Sequence, residues 1–133
     1  MKLYLSDTHA LVWFATEKTS RLGARARRIF EATRTGAATI AVSVVSLWEV
    51  AHLCETNVLR LPVGFSAWCD AVEGTLGFRI EPLLRADVEE ARALPLLRDP
   101  QDRLIAGTAL RLGVPLLTAD DRITTSKRVP VIW

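Results

Sequence analysis

Short apolar runs that alternate with helical patterns are the feature that most constrains the fold of this chain. Five such runs occur, at residues 2–6, 39–42, 78–80, 114–117 and 129–132. Strands of this length, separated by helices, are typical of a parallel sheet that is covered on both faces. We therefore predict an α/β fold: a three-layer α/β/α sandwich with a central, mostly parallel, short-stranded sheet.

Helix signals lie between these runs. Predicted helices cover residues 8–15, 21–34, 65–76, 84–94 and 100–112, and another starts between residues 44 and 47 and ends near residue 56. Ser20 is expected to cap the helix at 21–34, and Ser46 with Glu49 has the spacing of a capping box. Asp99 followed by Pro100 is a strong helix start.

The size and composition of the chain indicate one ordered domain. A length of 133 residues is typical of a single domain, which we assign to residues 1–133. With 50% hydrophobic and 24% charged residues, the chain does not belong to the disordered class. The net charge of +2 argues neither for nor against a nucleic-acid partner.

Three features of the sequence favour a soluble, cytoplasmic protein. Cys54 and Cys69 form no CxxC motif, and we expect two free thiols in a reducing compartment rather than a disulfide. The apolar start of the chain is interrupted by Asp7 and His9, unlike a signal peptide. No apolar stretch is long enough to span a bilayer.

Acidic residues lie close to the carboxyl ends of the predicted strands. Asp7 directly follows the first strand, and Asp120 follows the strand at 114–117. Glu49 and Asp102 lie in helices that are expected to start at the same edge, where open parallel sheets bind their ligands. We therefore predict that these four carboxylates, which we call the acidic quartet, converge.

The acidic quartet predicts a site for a hard divalent cation. Four carboxylates without histidine or thiolate offer only oxygen ligands, which suit Mg²⁺ or Mn²⁺ rather than zinc or copper. One or two such cations would relieve the mutual repulsion of the acids and activate water for attack on a phosphodiester. Each acid taken singly is explained as well by helix capping or a turn, so the prediction depends on the convergence.

Five segments of the chain resemble the motifs of a known family, and they occur in the family's order. They are LSDTHALVW at residues 5–13, VSVVSLWEVA at 42–51, DPQDRLIA at 99–106, LLTAD at 116–120 and VPVIW at 129–133. These segments are similar to those of PIN-domain ribonucleases, in particular the VapC-type toxins of toxin–antitoxin systems.

The resemblance implies a PIN-like fold and a homodimeric, metal-dependent endoribonuclease that a cognate antitoxin inhibits. It makes Asp7, Glu49, Asp102 and Asp120 the catalytic and metal-binding residues, with Mg²⁺ or Mn²⁺ as cofactor and RNA as substrate. It also implies that Thr118 forms hydrogen bonds within the site. Ile123 stands where family members often have a further acid or an aromatic residue. We interpret Asp99 and Asp121 as structural residues or as residues that support the metal ligands from outside.

Basic and aromatic residues have both a structural and a functional interpretation. Arg103, beside Asp102, is the preferred candidate for contacting a substrate phosphate. A solvent-exposed helix face is favoured over an RNA-binding rim for Arg21, Arg25, Arg27, Arg28 and Arg34. His9 is expected to be packed or hydrogen-bonded and to point away from the acids, and His52 to lie on a helix surface. Core or interface packing is favoured over base stacking for Trp13, Trp48 and Trp68.

Two other functions are compatible with parts of this pattern. A PIN-like scaffold could bind RNA or a protein without cleaving RNA, although the complete acidic quartet argues against that function. A receiver-like phosphoacceptor domain shares the layered sheet, but it needs an aspartate at the end of a middle strand. The middle run at 39–42 ends in Ser43, which disfavours this alternative.

Overall fold

Five strands form one sheet in which every pairing is parallel, which confirms the predicted architecture. The computed structural model describes residues 2–133, so Met1 of the predicted domain lies outside the described residues. The sheet order is β3-β2-β1-β4-β5. The strands are β1 (Lys2–Ser6), β2 (Ala38–Ser43), β3 (Phe78–Glu81), β4 (Leu116–Leu117) and β5 (Val131–Ile132).

Seven α-helices among residues 2–133 cover the two faces of the sheet. They are α1 (Thr8–Ala15), α2 (Ala24–Ala32), α3 (Val44–Glu55), α4 (Phe65–Gly74), α5 (Arg85–Arg92), α6 (Pro100–Leu112) and α7 (Asp121–Ser126). Neighbouring strand residues alternate between cores on opposite faces, as side chains on a pleated strand must. Leu116 belongs to the core that contains Ile105 of α6, whereas Leu117 belongs to the core that contains Phe30 of α2. The sandwich therefore has three layers.

Two local predictions were wrong, and one helix was not predicted. Ser20 does not cap a helix but lies in a short 3-10 turn (Thr19–Arg21), and α2 starts only after Gly23. The buried Leu22 between them takes an extended conformation that interrupts the helical path. Ser46 does not form a capping box, because α3 starts earlier and Ser43 accepts the capping hydrogen bond from the Val45 N–H at 3.0 Å. The residues after Asp120 form α7 rather than only a turn.

The order of the strands reverses between β1 and β4. β1 is the central strand, with β2 and β3 on one side and β4 and β5 on the other. The chain positions that follow β1 and β4 therefore face a common crevice at the carboxyl edge, which is where α/β sheets of this type bind ligands. Asp7 and Thr118 occupy these two positions.

Close packing of α5 against α6 fixes the helix that carries Asp102. Gly107 of α6 is buried, and a Cβ atom added there would overlap the backbone carbonyl of Asp87 and crowd Ala91. Beside this contact, Arg111 of α6 forms ion pairs with the fully buried Asp87 and with Glu81. The position of α6 is thus determined by tertiary contacts as well as by its own sequence.

Two further expectations concern thiols and membranes. Cys54 and Cys69 are free thiols, as predicted. Within residues 2–133, the helices are too short or too polar for any of them to traverse a bilayer.

Candidate active site

Asp7 links the central strand to the first helix and is held on both of its carboxylate oxygens. Its Oδ1 accepts a 2.8 Å hydrogen bond from the Ala10 N–H and so caps α1. Its Oδ2 accepts a 2.6 Å hydrogen bond from the Thr118 hydroxyl. The Asp7 N–H donates to the Leu117 carbonyl at 3.0 Å, which attaches this residue to β4. Asp7 therefore caps α1 and also lies in the crevice.

Thr118 connects two members of the acidic quartet. Its side chain is buried, with 1% of the residue exposed. While its hydroxyl donates to Asp7, the same oxygen accepts a 3.1 Å hydrogen bond from the Asp120 N–H. Thr118 therefore lies between the carboxylates that follow β1 and β4.

Glu49 is oriented by a residue that the sequence did not single out. The buried Thr8 hydroxyl donates a 2.9 Å hydrogen bond to Glu49 Oε1 and lies 3.0 Å from the Ser46 hydroxyl. Thr8 and Glu49 are 41 positions apart, so local spacing gives no indication of this contact. The available signal was the position of Thr8 directly after Asp7 in the first motif.

Asp102 lies in the first turn of α6, and Asp99 caps that helix. Asp99 Oδ1 accepts hydrogen bonds from the N–H groups of Gln101 (2.8 Å) and Asp102 (3.1 Å), which confirms the predicted helix start. Burial, followed by the charges of Asp99, Glu49, Asp120 and Asp7, raises the pKa of Asp102 from 3.8 to about 6. Asp102 therefore lies within electrostatic reach of the rest of the acidic quartet.

Two more members of the acidic quartet have raised pKa values. Burial raises the pKa of Asp7, although the hydrogen bonds from Thr118 and Ala10 lower it. Burial also raises the pKa of Glu49, the Thr8 hydrogen bond lowers it, and the charge of Asp99 raises it again. The four carboxylates therefore influence one another at one edge of the sheet, with Asp99 beside them.

The chemistry of the clustered groups fits a hard divalent cation. The groups are carboxylates and hydroxyls, so they offer only oxygen. Within residues 2–133, no three carboxylate, imidazole or thiolate side chains converge closely enough to hold a metal ion directly. Mg²⁺ commonly binds through one or two carboxylates and retains several waters, which agrees with this spacing. A cation would also offset the burial and repulsion that raise the pKa values.

Two arginines lie beside the site, and they have different partners. The Arg103 guanidinium donates to the Ala91 carbonyl from Nε (3.3 Å) and Nη2 (3.0 Å), so it joins α6 to α5. Its neighbour Asp102 points to a different side because successive helix residues are rotated by about 100°. Arg122 pairs with Asp120 instead, at 3.3 Å from Nε to Oδ1. Its place in the unpredicted α7 explains why it was missed.

The remaining candidate residues are divided between surface and core. Arg21, Arg25, Arg27, Arg28 and Arg34 are all exposed, as expected for a solvated face. His9 is exposed, its ring centroid lies 6.0 Å from that of Trp13, and its charge lowers the pKa of Asp7 and Glu49. Ile123 is buried.

The three tryptophans have different surroundings. Trp68 is buried in the core, as predicted. Trp13 is half-buried, and its ring centroid is 5.8 Å from that of Trp133. Trp48, one residue before Glu49, is 58% exposed. Trp48 is therefore available for contact with another molecule.

Comparison with known proteins identifies relatives of this chain. The PIN domain family matches residues 4–128. Ribonuclease VapC22 of Mycobacterium tuberculosis (strain ATCC 25618 / H37Rv) is 31% identical over 138 aligned residues, which cover 100% of both chains.

Solved structures of low sequence identity share the fold. A chain of VapBC2 from Rickettsia felis bound to a promoter DNA fragment superposes with a TM-score of 0.71 at 15% identity, covering 98% of this chain and 97% of that one. A chain of DNA-bound VapBC from Salmonella typhimurium superposes with a TM-score of 0.67 at 17% identity, covering 99% and 98%. The predicted resemblance is confirmed: the chain belongs to the PIN domain family.

Proposed function

We propose that this protein is a metal-dependent endoribonuclease and the toxin component of a toxin–antitoxin pair. The observation that carries the proposal is that Thr118 bonds Asp7 and receives the Asp120 N–H at the β1/β4 crevice, while the charges of Asp7, Glu49 and Asp120 raise the pKa of Asp102. The full-length similarity to ribonuclease VapC22 supports the same activity. RNA hydrolysis would take place in the cytoplasm, where the substrate is found.

The acidic quartet would hold Mg²⁺ or Mn²⁺, partly through water. When bound, the cation lowers the pKa of a coordinated water and stabilises charge that develops on phosphate oxygens. Asp7 contributes a carboxylate whose position is fixed by Ala10 and Thr118. The Thr8 hydroxyl fixes Glu49 through Oε1. These bonds orient the ligands before a cation arrives, as outer hydrogen bonds do in other metal sites.

An antitoxin protein is the proposed regulatory partner. The structural neighbours include VapBC complexes from two organisms, and their folds match nearly the whole chain. The exposed Trp48 beside Glu49 offers an aromatic anchor of the type that contributes strongly to protein interfaces. A homodimer, as the resemblance implies, is part of the same proposal.

Cleavage of a mixed RNA pool by the wild-type protein tests the enzymatic part. We expect fragments with Mg²⁺ or Mn²⁺ and none after chelation with EDTA. Expression of the protein alone is expected to arrest growth, and co-expression of its antitoxin to restore it. Growth arrest without cleavage of the pool would indicate a specific RNA target that the pool lacks. Absence of both effects would contradict the proposal.

A non-catalytic RNA-binding scaffold is the second candidate function. One observation favours this scaffold function. Within residues 2–133, no three carboxylate, imidazole or thiolate side chains converge on a common metal position. Such a scaffold would bind RNA equally well with EDTA and with Mg²⁺ and would cleave no RNA. The mixed-pool experiment therefore distinguishes the two functions when bound and cleaved RNA are measured together.

A further inference from the structure

Arg122 is the basic side chain that contacts the acidic quartet directly. Its Nε lies 3.3 Å from Asp120 Oδ1, and its Nη2 lies 3.4 Å from Asp120 Oδ2. Its backbone N–H also donates to Asp120 Oδ1 at 2.9 Å, since Asp120 caps α7. Two planar groups thus face each other in the paired arrangement that guanidinium and carboxylate groups favour.

The other arginines near this edge are occupied elsewhere. Arg103 donates to the Ala91 carbonyl, and Arg111 is paired with Asp87 and Glu81. Among the ion pairs of residues 2–133, that of Arg122 is the one that includes a member of the acidic quartet. Arg122 is therefore the arginine that neutralises part of the charge of the acidic quartet.

The exposure of Arg122 makes the pairing exchangeable. The Arg122 side chain is 66% exposed, whereas that of Asp120 is 21% exposed. An exposed ion pair contributes little to stability, so separating it costs little free energy. The guanidinium can therefore leave Asp120 for a nearby anion without unfolding α7.

We propose that Arg122 is an exchangeable counter-ion: it pairs with Asp120 until a divalent cation binds, and it then binds a phosphate of the RNA. This inference rests on the proposed function, because the cation that displaces Arg122 and the RNA phosphate that then binds it both belong to the proposed nuclease site. The cation and the guanidinium compete for Asp120, so the release of Arg122 depends on cation binding. Arginine suits the second role because its fork of N–H groups matches phosphate oxygens.

The proposal predicts that removal of the Arg122 guanidinium has opposite effects on cation binding and on RNA binding. Removing the guanidinium frees Asp120 and removes a like charge, so the cation should bind more tightly. Removing it also deletes a phosphate contact, so RNA should bind more weakly. A purely structural role in holding α7 would instead weaken both interactions together.

Arg122→Ala and wild type should be compared by calorimetric titration with Mn²⁺, without RNA, and by steady-state cleavage of the mixed RNA pool. We expect Mn²⁺ binding to tighten about threefold to tenfold in the variant. We expect KM to rise about tenfold while kcat changes less than about twofold. Arg122→Lys keeps the charge and should restore the Mn²⁺ affinity of wild type, but only part of the KM.

Arg92→Ala is the matched control. Arg92 forms an exposed 3.3 Å ion pair with Glu89 on α5, so its loss removes the same charge from a pair of the same length. We expect this variant to behave as wild type in both measurements. Mn²⁺ affinity that is unchanged or weaker in Arg122→Ala, or an unchanged KM, would overturn the inference. Wild type that binds Mn²⁺ but neither cleaves RNA nor arrests growth would contradict the proposed nuclease, and calorimetry alone would then decide whether Arg122 competes with the cation.

Discussion

The Thr118 hydroxyl donates a 2.6 Å hydrogen bond to Asp7 Oδ2, although the two residues are 111 positions apart in the chain. This bond joins the residue after β1 to the residue after β4 at the point where the strand order reverses. It also opposes the effect of burial on the Asp7 pKa, because a hydrogen bond to the charged form stabilises that form. Thr118 therefore keeps Asp7 both oriented and easier to ionise.

Thr118→Val tests this role while conserving the shape of the side chain. We expect the free energy of unfolding to fall by about 1–3 kcal/mol, since buried partners lose a hydrogen bond. We expect the cleavage rate to fall about 10- to 100-fold, as is typical when a residue that hydrogen-bonds to a metal ligand is removed. Thr118→Ser retains the hydroxyl and is the control. A loss of cleavage in Thr118→Ser as large as that in Thr118→Val would contradict this role, because serine keeps the hydroxyl group.

Asp102→Asn should stabilise the protein at neutral pH when no divalent cation is present. The pKa of Asp102 is about 6 in the folded protein and 3.8 as its ordinary value, so the folded state binds the proton more tightly. Ionised Asp102 therefore reduces stability, an effect that is absent below about pH 4, develops between about pH 4 and 6, and is complete above that range.

Thermal unfolding of wild type and Asp102→Asn in EDTA across this pH range measures the difference. The variant should have the higher Tm at pH values above about 6, and the two curves should meet near about pH 4. Asp70→Asn, which changes an exposed carboxylate on α4, should follow wild type throughout. A constant difference across the pH range would be inconsistent with a raised Asp102 pKa.

Addition of Mg²⁺ should stabilise wild type more than ionic strength alone does. A ligand that binds only the folded state stabilises it by about 2.7 kcal/mol at one hundred times its Kd. The shift in Tm should shrink as the pH falls through about 6, because protonated carboxylates bind the cation poorly. Sodium chloride at the same ionic strength is the control. Identical shifts with both salts would argue against a specific cation site.

The general architecture could be predicted because it follows from local patterns. The apolar runs specified the strands, and parallel strands place the residues that follow them at one edge, so Asp7 and Asp120 were expected together. The partners that cross the chain could not be predicted in this way. Thr8 reaches Glu49 only after β1 and β2 have paired and α3 has started at Val44.

Helix boundaries explain two other differences between sequence and structure. Because α3 starts at Val44, Ser43 caps this helix and Ser46 does not. α7 has only six residues, mostly polar, with Ile123 as its buried residue, so its pattern resembles a turn. Arg122 was missed for the same reason.

Gly107→Ala should be strongly destabilising because α5 and α6 touch there. An added methyl group would overlap the Asp87 carbonyl, and we expect the free energy of unfolding to fall by about 1–3 kcal/mol. Cleavage should also fall, since α6 carries Asp102. In the matched control, Gly74→Ala, the new Cβ has no atom within 4 Å, and its stability should stay within about 1 kcal/mol of wild type. Chemical denaturation measures the free energy of unfolding of both variants. Equal stability of Gly107→Ala and Gly74→Ala would contradict the close contact between α5 and α6.

The most direct test of the central claim is RNA cleavage by Asp7→Asn, with Asp70→Asn as the matched control. Asparagine can still cap α1, so Asp7→Asn should fold like wild type in a thermal unfolding scan. With Mg²⁺ present, we expect Asp7→Asn to lose detectable cleavage of an RNA that wild type and Asp70→Asn cut equally. Cleavage by folded Asp7→Asn at the wild-type rate would contradict the assignment of this crevice as the active site.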